Sequence, residues 1–199
     1  MGEEMRVETP TPFLNVYRGV FDASEFLGIA EKLSSEEWPR LSWDKSTEDS
    51  GEGQFVSEYR SSFSMSLVPI LQEEVVDELA PAKEAFLEMY RPIDECVWDY
   101  RNSYNLYLSL SEPVSVLRYS HGAEYRTHWD SSPMNGRVLS MVCYANDDYE
   151  GGELDFPGYG VTVKPEAGMV VLFPSSYTHK HAARPVTSGT KYSLVTWFQ

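Results

Sequence analysis

Hydrophobic and polar positions alternate with a short period over the last part of the chain. After Pro113, short segments rich in β-branched and aromatic residues are separated by turn residues, and seven of them fit strands within 87 residues. These segments are SVLRY, YRTHWDSS, RVLSMVCYA, GELDF, GVTVK, MVVLF and KYSLVTWF. Many short strands at regular spacing favour two packed sheets, as in a sandwich or jelly roll.

The beginning of the chain predicts one strand and one helix. Residues 14–21 fit a short strand. Asp22 offers an N-cap, and Glu25 three residues later completes a capping pattern. We therefore expect an amphipathic helix that begins at Asp22 and ends near Leu33.

The middle of the chain mixes helical and extended patterns. The polar, glycine-containing segment 45–54 predicts a mobile loop, and residues 57–67 alternate as a strand would. Apolar residues recur at helical spacing over residues 68–89, where Pro81 is expected to bend or divide the helix. Residues 100–110 are rich in tyrosine and fit neither pattern clearly.

These patterns predict an α+β fold that is mainly β, with N-terminal helices packed outside a C-terminal sandwich or jelly roll. The length of 199 residues suits a single domain over residues 1–199. Within it, residues 1–112 would supply supporting helices, strands and the polar loop. Residues 113–199 would form the jelly-roll core.

The distribution of charge narrows the classes of partner. The net charge of -15 argues against a nucleic-acid binder or a protein that binds an anionic membrane. Residues 1–100 carry 22 acids and 8 bases, whereas residues 101–199 carry 9 acids and 8 bases. No apolar run predicts a secretory signal or a membrane anchor, and Cys96 and Cys143 show no CxxC spacing. We therefore expect a cytoplasmic protein.

The chemistry of the chain centres on His128-Trp129-Asp130. Residues i and i+2 of a strand point to the same side, so His128 and Asp130 would offer two metal ligands from one short segment. His179 and His181 are the candidates for a third ligand. Imidazole and carboxylate ligands suit Fe(II), Mn(II), Co(II) and Zn(II) alike, and an HxD sequence is also common by chance.

Several longer motifs surround these residues. They are YSHGAEYRTHWD, RVLSMVCY, EGGELDFP and FPSSYTHKHAARPVTSGTKYSLVTW, and earlier in the chain Tyr59-Arg60-Ser61-Ser62. With these motifs, residues 113–199 resemble the 2-oxoglutarate/Fe(II)-dependent oxygenase superfamily, in its prolyl-4-hydroxylase-like branch. The resemblance implies a double-stranded β-helix (jelly roll) core with flanking N-terminal helices, and it is weaker before residue 113.

The resemblance implies a metal site formed by His128, Asp130 and His181. The family pattern has Pro-Val four residues after the last histidine ligand and a basic residue ten after it. Pro185 and Lys191 satisfy this spacing for His181 and not for His179. Two histidines and one carboxylate on one face of Fe(II) leave three coordination positions open.

The resemblance also implies how 2-oxoglutarate and the substrate would bind. Lys191 would pair with the distal carboxylate, which brings the charges of Fe(II), the aspartate, the co-substrate and the lysine to zero, and Tyr119 and Tyr144 would add hydroxyl contacts. Lys191, Ser193, Val195 and Trp197 would share the inner face of one strand. Arg137 and Trp197 would line the substrate side of the iron.

The implied activity is hydroxylation of a prolyl residue in a peptide or protein, with O2 consumed, succinate and CO2 released, and ascorbate as a candidate reductant. Many prolyl hydroxylases carry Thr after Gly-Gly-Glu, whereas this chain has Leu154. A free amino acid or small metabolite is therefore an alternative substrate. Segment 45–54 is a candidate substrate lid. The rival classes are a jelly roll that binds metal without turnover, a jelly roll without metal, and a zinc-dependent cupin-like enzyme.

Overall fold

The computed structural model describes residues 6–35, 41–49, 54–56, 58–72 and 76–199. The described residues form strands β1 Arg6–Thr11, β2 Leu14–Arg18, β3 Asp44–Lys45, β4 Glu48–Asp49, β5 Gln54–Phe55, β6 Phe63–Ser66, β7 Ser115–Tyr119 and β8 Tyr125–His128. They continue with β9 Leu139–Tyr144, β10 Glu150–Gly151, β11 Leu154–Phe156, β12 Val161–Val163, β13 Met169–Pro174, β14 His181–Ala183, β15 Val186–Ser188 and β16 Lys191–Phe198. The helices are α1 Ser24–Ser34, α2 Val68–Leu71 and α3 Ala80–Ser103.

Two antiparallel sheets form the jelly-roll core. The larger sheet has the strand order β1-β2-β13-β9-β16-β7-β6-β3, and the smaller has the order β12-β11-β14-β8. Leu154 and Phe156 of the smaller sheet pack against Val171 and Phe173 of the larger one. The predicted fold class, mainly β with a jelly-roll core and flanking helices, is confirmed.

The other face of the larger sheet is covered by α1 and α3. Phe26 of α1 and Phe86 of α3 join one apolar cluster with Val170 and Leu172 of β13. Successive residues of β13 therefore pack alternately against the helices and against the smaller sheet. Burial on both faces explains why MVVLF is continuously apolar.

The helix boundaries correct three details of the sequence prediction. The N-cap of α1 is Ala23, not Asp22, because the Ala23 carbonyl accepts the first helical hydrogen bond, from the N–H of Leu27 (2.9 Å). The Asp22 carboxylate accepts a hydrogen bond from the backbone N–H of Ser24 (2.9 Å), the first residue of the helix. The helical stretch 68–89 is divided into α2 and α3, as one of the two expectations for Pro81 had it, but Pro81 bends no helix. It lies in the first turn of α3, where its missing N–H costs no hydrogen bond. The helix then continues past Pro92 to Ser103, so the ambiguous stretch is partly helical.

The polar segment 45–54 is more ordered than a loop where the structure describes it. Its ends contribute to β3, β4 and β5, and Ser46 is anchored by a backbone hydrogen bond to the Ser62 carbonyl (3.0 Å). Residues 50–53 lie outside the described residues, so the predicted lid remains a prediction. The predicted strand 57–67 is shorter than expected, since β6 spans only Phe63–Ser66 and Ser57 is also outside the described residues.

Besides β3, β4 and β5, four further strands of the described residues were not predicted: β1, β10, β14 and β15. Each consists mainly of polar or small residues, so its hydrophobic pattern is weak.

Within the described residues, no helix combines the length and the apolarity that a membrane crossing requires.

Candidate metal and co-substrate site

Two neighbouring strands of the smaller sheet bring two histidines together. His128 ends β8, His181 begins β14, and the two residues are paired across the antiparallel ladder. Their ring centroids are 4.3 Å apart. Ligand atoms of His128, Asp130 and His181 all lie within 4.8 Å of one another, as a shared metal ion requires.

Asp130 reaches this site by a different route from the predicted one. The strand β8 ends at His128, so strand alternation does not place Asp130. Its backbone N–H instead donates to the carbonyl of Ser175 (3.0 Å). The carboxylate then lies with Oδ1 3.4 Å from His128 Nε2 and Oδ2 3.6 Å from His181 Nε2.

Both histidine rings present a lone pair to the carboxylate. Nδ1 of His128 lies 2.8 Å from the Arg126 carbonyl, and Nδ1 of His181 lies 3.0 Å from the His179 carbonyl. A carbonyl only accepts hydrogen bonds, so each Nδ1 carries the hydrogen and each neutral ring has its lone pair on Nε2. Three electron-pair donors therefore converge, and a divalent cation between them fits this arrangement.

The protonation states of the cluster also suit a metal. Burial lowers the pKa of His181 to about 4, although the charge of Asp130 opposes the shift. For Asp130, burial acts to raise the pKa, but His181, His128 and the Ser140 hydroxyl together hold it well below its usual range. Near neutral pH the site therefore offers a neutral imidazole and a carboxylate.

His179 and His121 are not brought to this cluster. His179 is buried, and its Nε2 donates to the Pro12 carbonyl (3.0 Å) while its Nδ1 accepts from Thr178 Oγ1 (3.0 Å). Both of its ring nitrogens are engaged away from Asp130. His121 is exposed.

Lys191 lines the same cavity as the three candidate metal ligands. Its side chain is buried, its Nζ donates to the Gly152 carbonyl (2.6 Å), and it lies 5.1 Å and 5.0 Å from the rings of Tyr119 and Tyr144. Among the residues that the structure describes, no carboxylate forms an ion pair with it. Burial lowers its pKa to about 7, although Glu153 acts to raise it. A buried cation without a counter-ion fits an anionic ligand.

Tyrosine hydroxyls surround this lysine. Within the described part of the chain, the buried hydroxyls of Tyr144 and Tyr149 have no hydrogen-bond partner. Burial raises the pKa of Tyr119, and Arg60 and Ser62 next to its hydroxyl act to lower it. Buried hydroxyls that lack a partner are rare in folded proteins. Of these two residues Tyr144 lines the cavity, so its hydroxyl fits an oxygen acceptor of a bound ligand.

One cavity joins the metal cluster to the lysine. It encloses about 500 Å³, its open mouth included, and both the three candidate ligands and Lys191 line it. The inner face of β16, predicted to be Lys191, Ser193, Val195 and Trp197, borders this cavity, so that prediction is confirmed. Leu154, which stands where many prolyl hydroxylases have Thr, also lines it.

Arg137 and Trp197 lie together beside the cavity. The Arg137 guanidinium is 3.6 Å from the centre of the Trp197 ring and forms a two-pronged ion pair with Glu112 (2.5 and 2.6 Å). Trp197 forms part of the cavity wall, whereas Arg137 is held behind it. Their contact with a substrate stays a prediction.

The structure adds residues that were not among the predicted site residues. Arg60 lines the cavity, lies 4.9 Å above the Tyr125 ring, and Tyr125 in turn stacks on His128 with ring centroids 3.5 Å apart. The motif Tyr59-Arg60-Ser61-Ser62 was a sequence signal by which Arg60 could have been predicted to lie at the site. Ser140 and Ser175, which contact Asp130, gave no such signal because serine is common in strands and turns.

Comparison with known proteins finds a matching oxygenase family model and relatives among the hydroxylases. Residues 114–199 match the family model described as 2OG-Fe(II) oxygenase superfamily. A PKHD-type hydroxylase of Stenotrophomonas maltophilia is 36% identical over 110 residues, which cover 47% of this chain and 48% of that protein. Prolyl 4-hydroxylase subunit alpha-1 of Gallus gallus is 31% identical over 108 residues, which cover 45% of this chain and 21% of that protein. The chain thus spans less than half the length of either relative.

A solved structure shares the fold over nearly the whole chain. It is a prolyl hydroxylase from Trichoplax adhaerens in complex with a peptide fragment of the hypoxia inducible factor oxygen degradation domain. The TM-score is 0.71 at 17% identity, and the alignment covers 94% of this chain and 84% of that one. At this identity the likeness concerns the fold alone.

Proposed function

We propose that the protein is an Fe(II)- and 2-oxoglutarate-dependent dioxygenase that hydroxylates a prolyl residue in a peptide or protein, because residues 114–199 match the family model of the 2OG-Fe(II) oxygenase superfamily. The observation that carries the proposal is the single cavity with three metal-ligand side chains at one end and a buried lysine without a counter-ion at the other.

The iron would be held by Nε2 of His128, Nε2 of His181 and the carboxylate of Asp130. Iron bound there supplies the oxidative chemistry that couples decarboxylation of 2-oxoglutarate to succinate and CO2 with hydroxylation of the substrate. The carbonyls of Arg126 and His179 keep the Nδ1 hydrogens in place, so that both Nε2 lone pairs face the metal position. Three ligands from one side leave room for the co-substrate and O2.

The distal carboxylate of 2-oxoglutarate would pair with Lys191. The same carboxylate would also accept a hydrogen bond from Tyr144, whose buried hydroxyl has no other partner within the described residues. The rings of Tyr119 and Tyr144 lie 5.1 Å and 5.0 Å from Lys191 Nζ. A carboxylate beside Lys191 restores its pKa toward the ordinary range and keeps it protonated. These residues therefore bind and orient the co-substrate.

Apolar residues between the two ends of the cavity exclude water. Leu117, Leu154 and Val195 line it, and all three are buried. A dry cavity strengthens the pairing of Lys191 with an anion and limits access of solvent to the iron. Trp197, on the same strand as Lys191, would contact the substrate, with Arg137 stacked behind it.

A prolyl residue in a peptide is supported by the proteins that this chain resembles. One relative is named a prolyl 4-hydroxylase subunit, and a protein of the same fold was solved with a peptide bound. We also propose the cytoplasm as the compartment, because Cys96 and Cys143 are buried and neither is part of a disulfide.

The substrate is tested with proline-containing peptides, Fe(II), 2-oxoglutarate and O2. We expect succinate release together with the mass gain of one oxygen atom on the peptide. A matched peptide with Ala in place of Pro should gain no oxygen. Turnover of free proline in preference to every peptide would move the substrate to the small-metabolite class.

The ligand assignment is tested by a matched pair of histidine variants. His181→Ala should abolish succinate release because it removes a metal ligand, whereas folded His179→Ala should retain it. An inactive His179→Ala with an active His181→Ala would show that the ligand assignment is wrong.

A further inference from the structure

Two buried serines lie directly behind the carboxylate of Asp130. Ser140 is on β9 and Ser175 follows β13, and each is 1% exposed. The Ser140 hydroxyl donates to Asp130 Oδ2 (2.6 Å), and the hydroxyl oxygens of Ser140 and Ser175 are 2.8 Å apart. Because the hydrogen of Ser140 is committed to the carboxylate, the hydroxyl of Ser175 donates to Ser140. A directed chain of two hydroxyls therefore ends on one oxygen of Asp130.

Ser175 also holds the backbone of the segment that carries Asp130. Its carbonyl accepts the N–H groups of Asp130 (3.0 Å) and Ser131 (2.9 Å), and its own N–H donates to the Val138 carbonyl (3.0 Å). Asp130 lies beyond the end of β8, so it lacks strand hydrogen bonds of its own. Ser175 thus anchors the main chain of Asp130 and, through Ser140, its side chain.

The two oxygens of the carboxylate are consequently not equivalent. Oδ2 lies 3.6 Å from Nε2 of His181 and accepts a short hydrogen bond that is strengthened by the negative charge. Oδ1 lies 3.4 Å from Nε2 of His128 and, within the described residues, accepts no hydrogen bond from a serine. A carboxylate with one oxygen engaged in this way coordinates a metal most readily through the other.

We propose that Ser140 and Ser175 are positioning residues that hold Asp130 as a ligand through Oδ1 alone. The inference rests on the proposed function, since it takes the cluster of His128, Asp130 and His181 as a metal site. Coordination through one oxygen keeps the third open position of the metal, which a second carboxylate oxygen would otherwise occupy. The pair would therefore preserve the positions that the co-substrate and O2 need.

Titration of the metal-free protein with Mn(II) tests this role without any turnover. Ser140→Ala should weaken Mn(II) binding about 10- to 100-fold, the usual effect of losing a partner of a metal ligand. Ser140→Thr keeps the hydroxyl and should bind within about threefold of wild type. Ser175→Ala should have a smaller effect. Because Ser175 acts through Ser140, the double alanine variant should bind about as weakly as Ser140→Ala.

A second readout follows the coordination itself. The visible spectrum of the Co(II)-loaded protein should change in Ser140→Ala, as the second carboxylate oxygen enters the coordination sphere, and should be retained in Ser140→Thr. Thr196→Val is the matched control, because it too removes a fully buried hydroxyl. The hydroxyl of Thr196 donates to the backbone carbonyl of Glu112 and not to a candidate metal ligand. It should lower stability without changing the affinity for Mn(II) or the Co(II) spectrum.

The outcomes separate the inference from the proposed function. A folded Ser140→Ala with wild-type affinity for Mn(II) and an unchanged Co(II) spectrum would overturn the inference and leave the metal site intact. A wild-type protein that binds neither metal would instead overturn the proposed function.

Discussion

At the scale of single residues, the burial of Lys191 is the observation that most strongly indicates an anionic ligand. It is 2% exposed, and its Nζ donates a hydrogen bond to the neutral carbonyl of Gly152. The free energy of burying a cation is recovered only when a matching anion is present. The alternating pattern of a strand predicts that Lys191 points inward, but not which groups surround it there. The lack of a counter-ion could therefore not be predicted from the strand pattern.

Lys191→Met should weaken binding of 2-oxoglutarate on the order of 100-fold or more, because the distal carboxylate loses its buried counter-ion. Equilibrium titration of the Mn(II)-loaded protein under anaerobic conditions measures the effect. Lys164→Met is the control, since Lys164 is exposed and its loss changes the net charge equally. Equal affinity of the two variants for 2-oxoglutarate would contradict the assignment.

The same lysine predicts a pH dependence of stability. Its pKa in the folded, ligand-free protein is about 7, against an ordinary value of 10.5. Between these values the unfolded chain binds more protons, so the destabilisation present below pH 7 is relieved as the pH rises. Wild type should gain up to about 1.4 kcal/mol per pH unit relative to Lys191→Met over this range.

Urea unfolding of the metal-free proteins at pH 7, 8 and 9 measures this difference, where ~1.4 kcal/mol per unit is the upper limit for one group. Saturating 2-oxoglutarate and Mn(II) should flatten it, because a bound carboxylate keeps Lys191 protonated. Parallel stability curves for ligand-free wild type and Lys191→Met would show that Lys191 keeps an ordinary pKa.

At the scale of elements, pairs of strands assemble the site. The pairing of β8 with β14 brings the two histidines together, and β16 carries Lys191 and Trp197 along one cavity wall. The turn before β11 approaches Lys191 so closely that it requires glycine. A Cβ on Gly152 would lie 3.0 Å from Lys191 Cδ, and the backbone there has φ +67°, in the left-handed region.

Gly152→Ala should therefore lower the free energy of unfolding by roughly 1–2 kcal/mol and also weaken 2-oxoglutarate binding, because the new methyl group displaces Lys191. Gly158→Ala is the matched control, since no atom lies within 4 Å of its Cβ position and its φ is outside the left-handed region. Chemical denaturation and ligand titration of both variants provide the comparison. Unchanged binding in Gly152→Ala would mean that the turn does not position the lysine.

At the scale of the whole molecule, the sequence predicted the jelly roll and placed the three candidate metal ligands and Lys191 in one site, but it did not predict that Arg60 lines the cavity and that Arg137 does not. The seven predicted strands correspond to β7, β8, β9, β11, β12, β13 and β16, because their β-branched and aromatic pattern is strong. Long-range packing was not predictable in the same way. The helix α3 extends to Ser103 because its apolar side chains pack against the larger sheet, and Asp130 is positioned by Ser175, 45 residues later in the chain.

Metal binding should stabilise the whole fold, because the ligands come from two strands and a following turn. Mn(II) at about 100 times its dissociation constant should raise the free energy of unfolding by about 2.7 kcal/mol. His128→Ala should lose this gain while remaining folded. Thermal unfolding with and without Mn(II) measures it, and an equal gain in His128→Ala would place the metal elsewhere.

The most direct test of the account is anaerobic addition of Fe(II) and 2-oxoglutarate to the metal-free protein. We predict the visible charge-transfer band of 2-oxoglutarate chelated to Fe(II), and its loss with formation of succinate when O2 is admitted. His181→Ala should show no band, and Lys191→Met should show it only at much higher 2-oxoglutarate. A folded, iron-loaded wild-type protein without the band would contradict the proposed reaction and favour a jelly roll that binds metal without turnover.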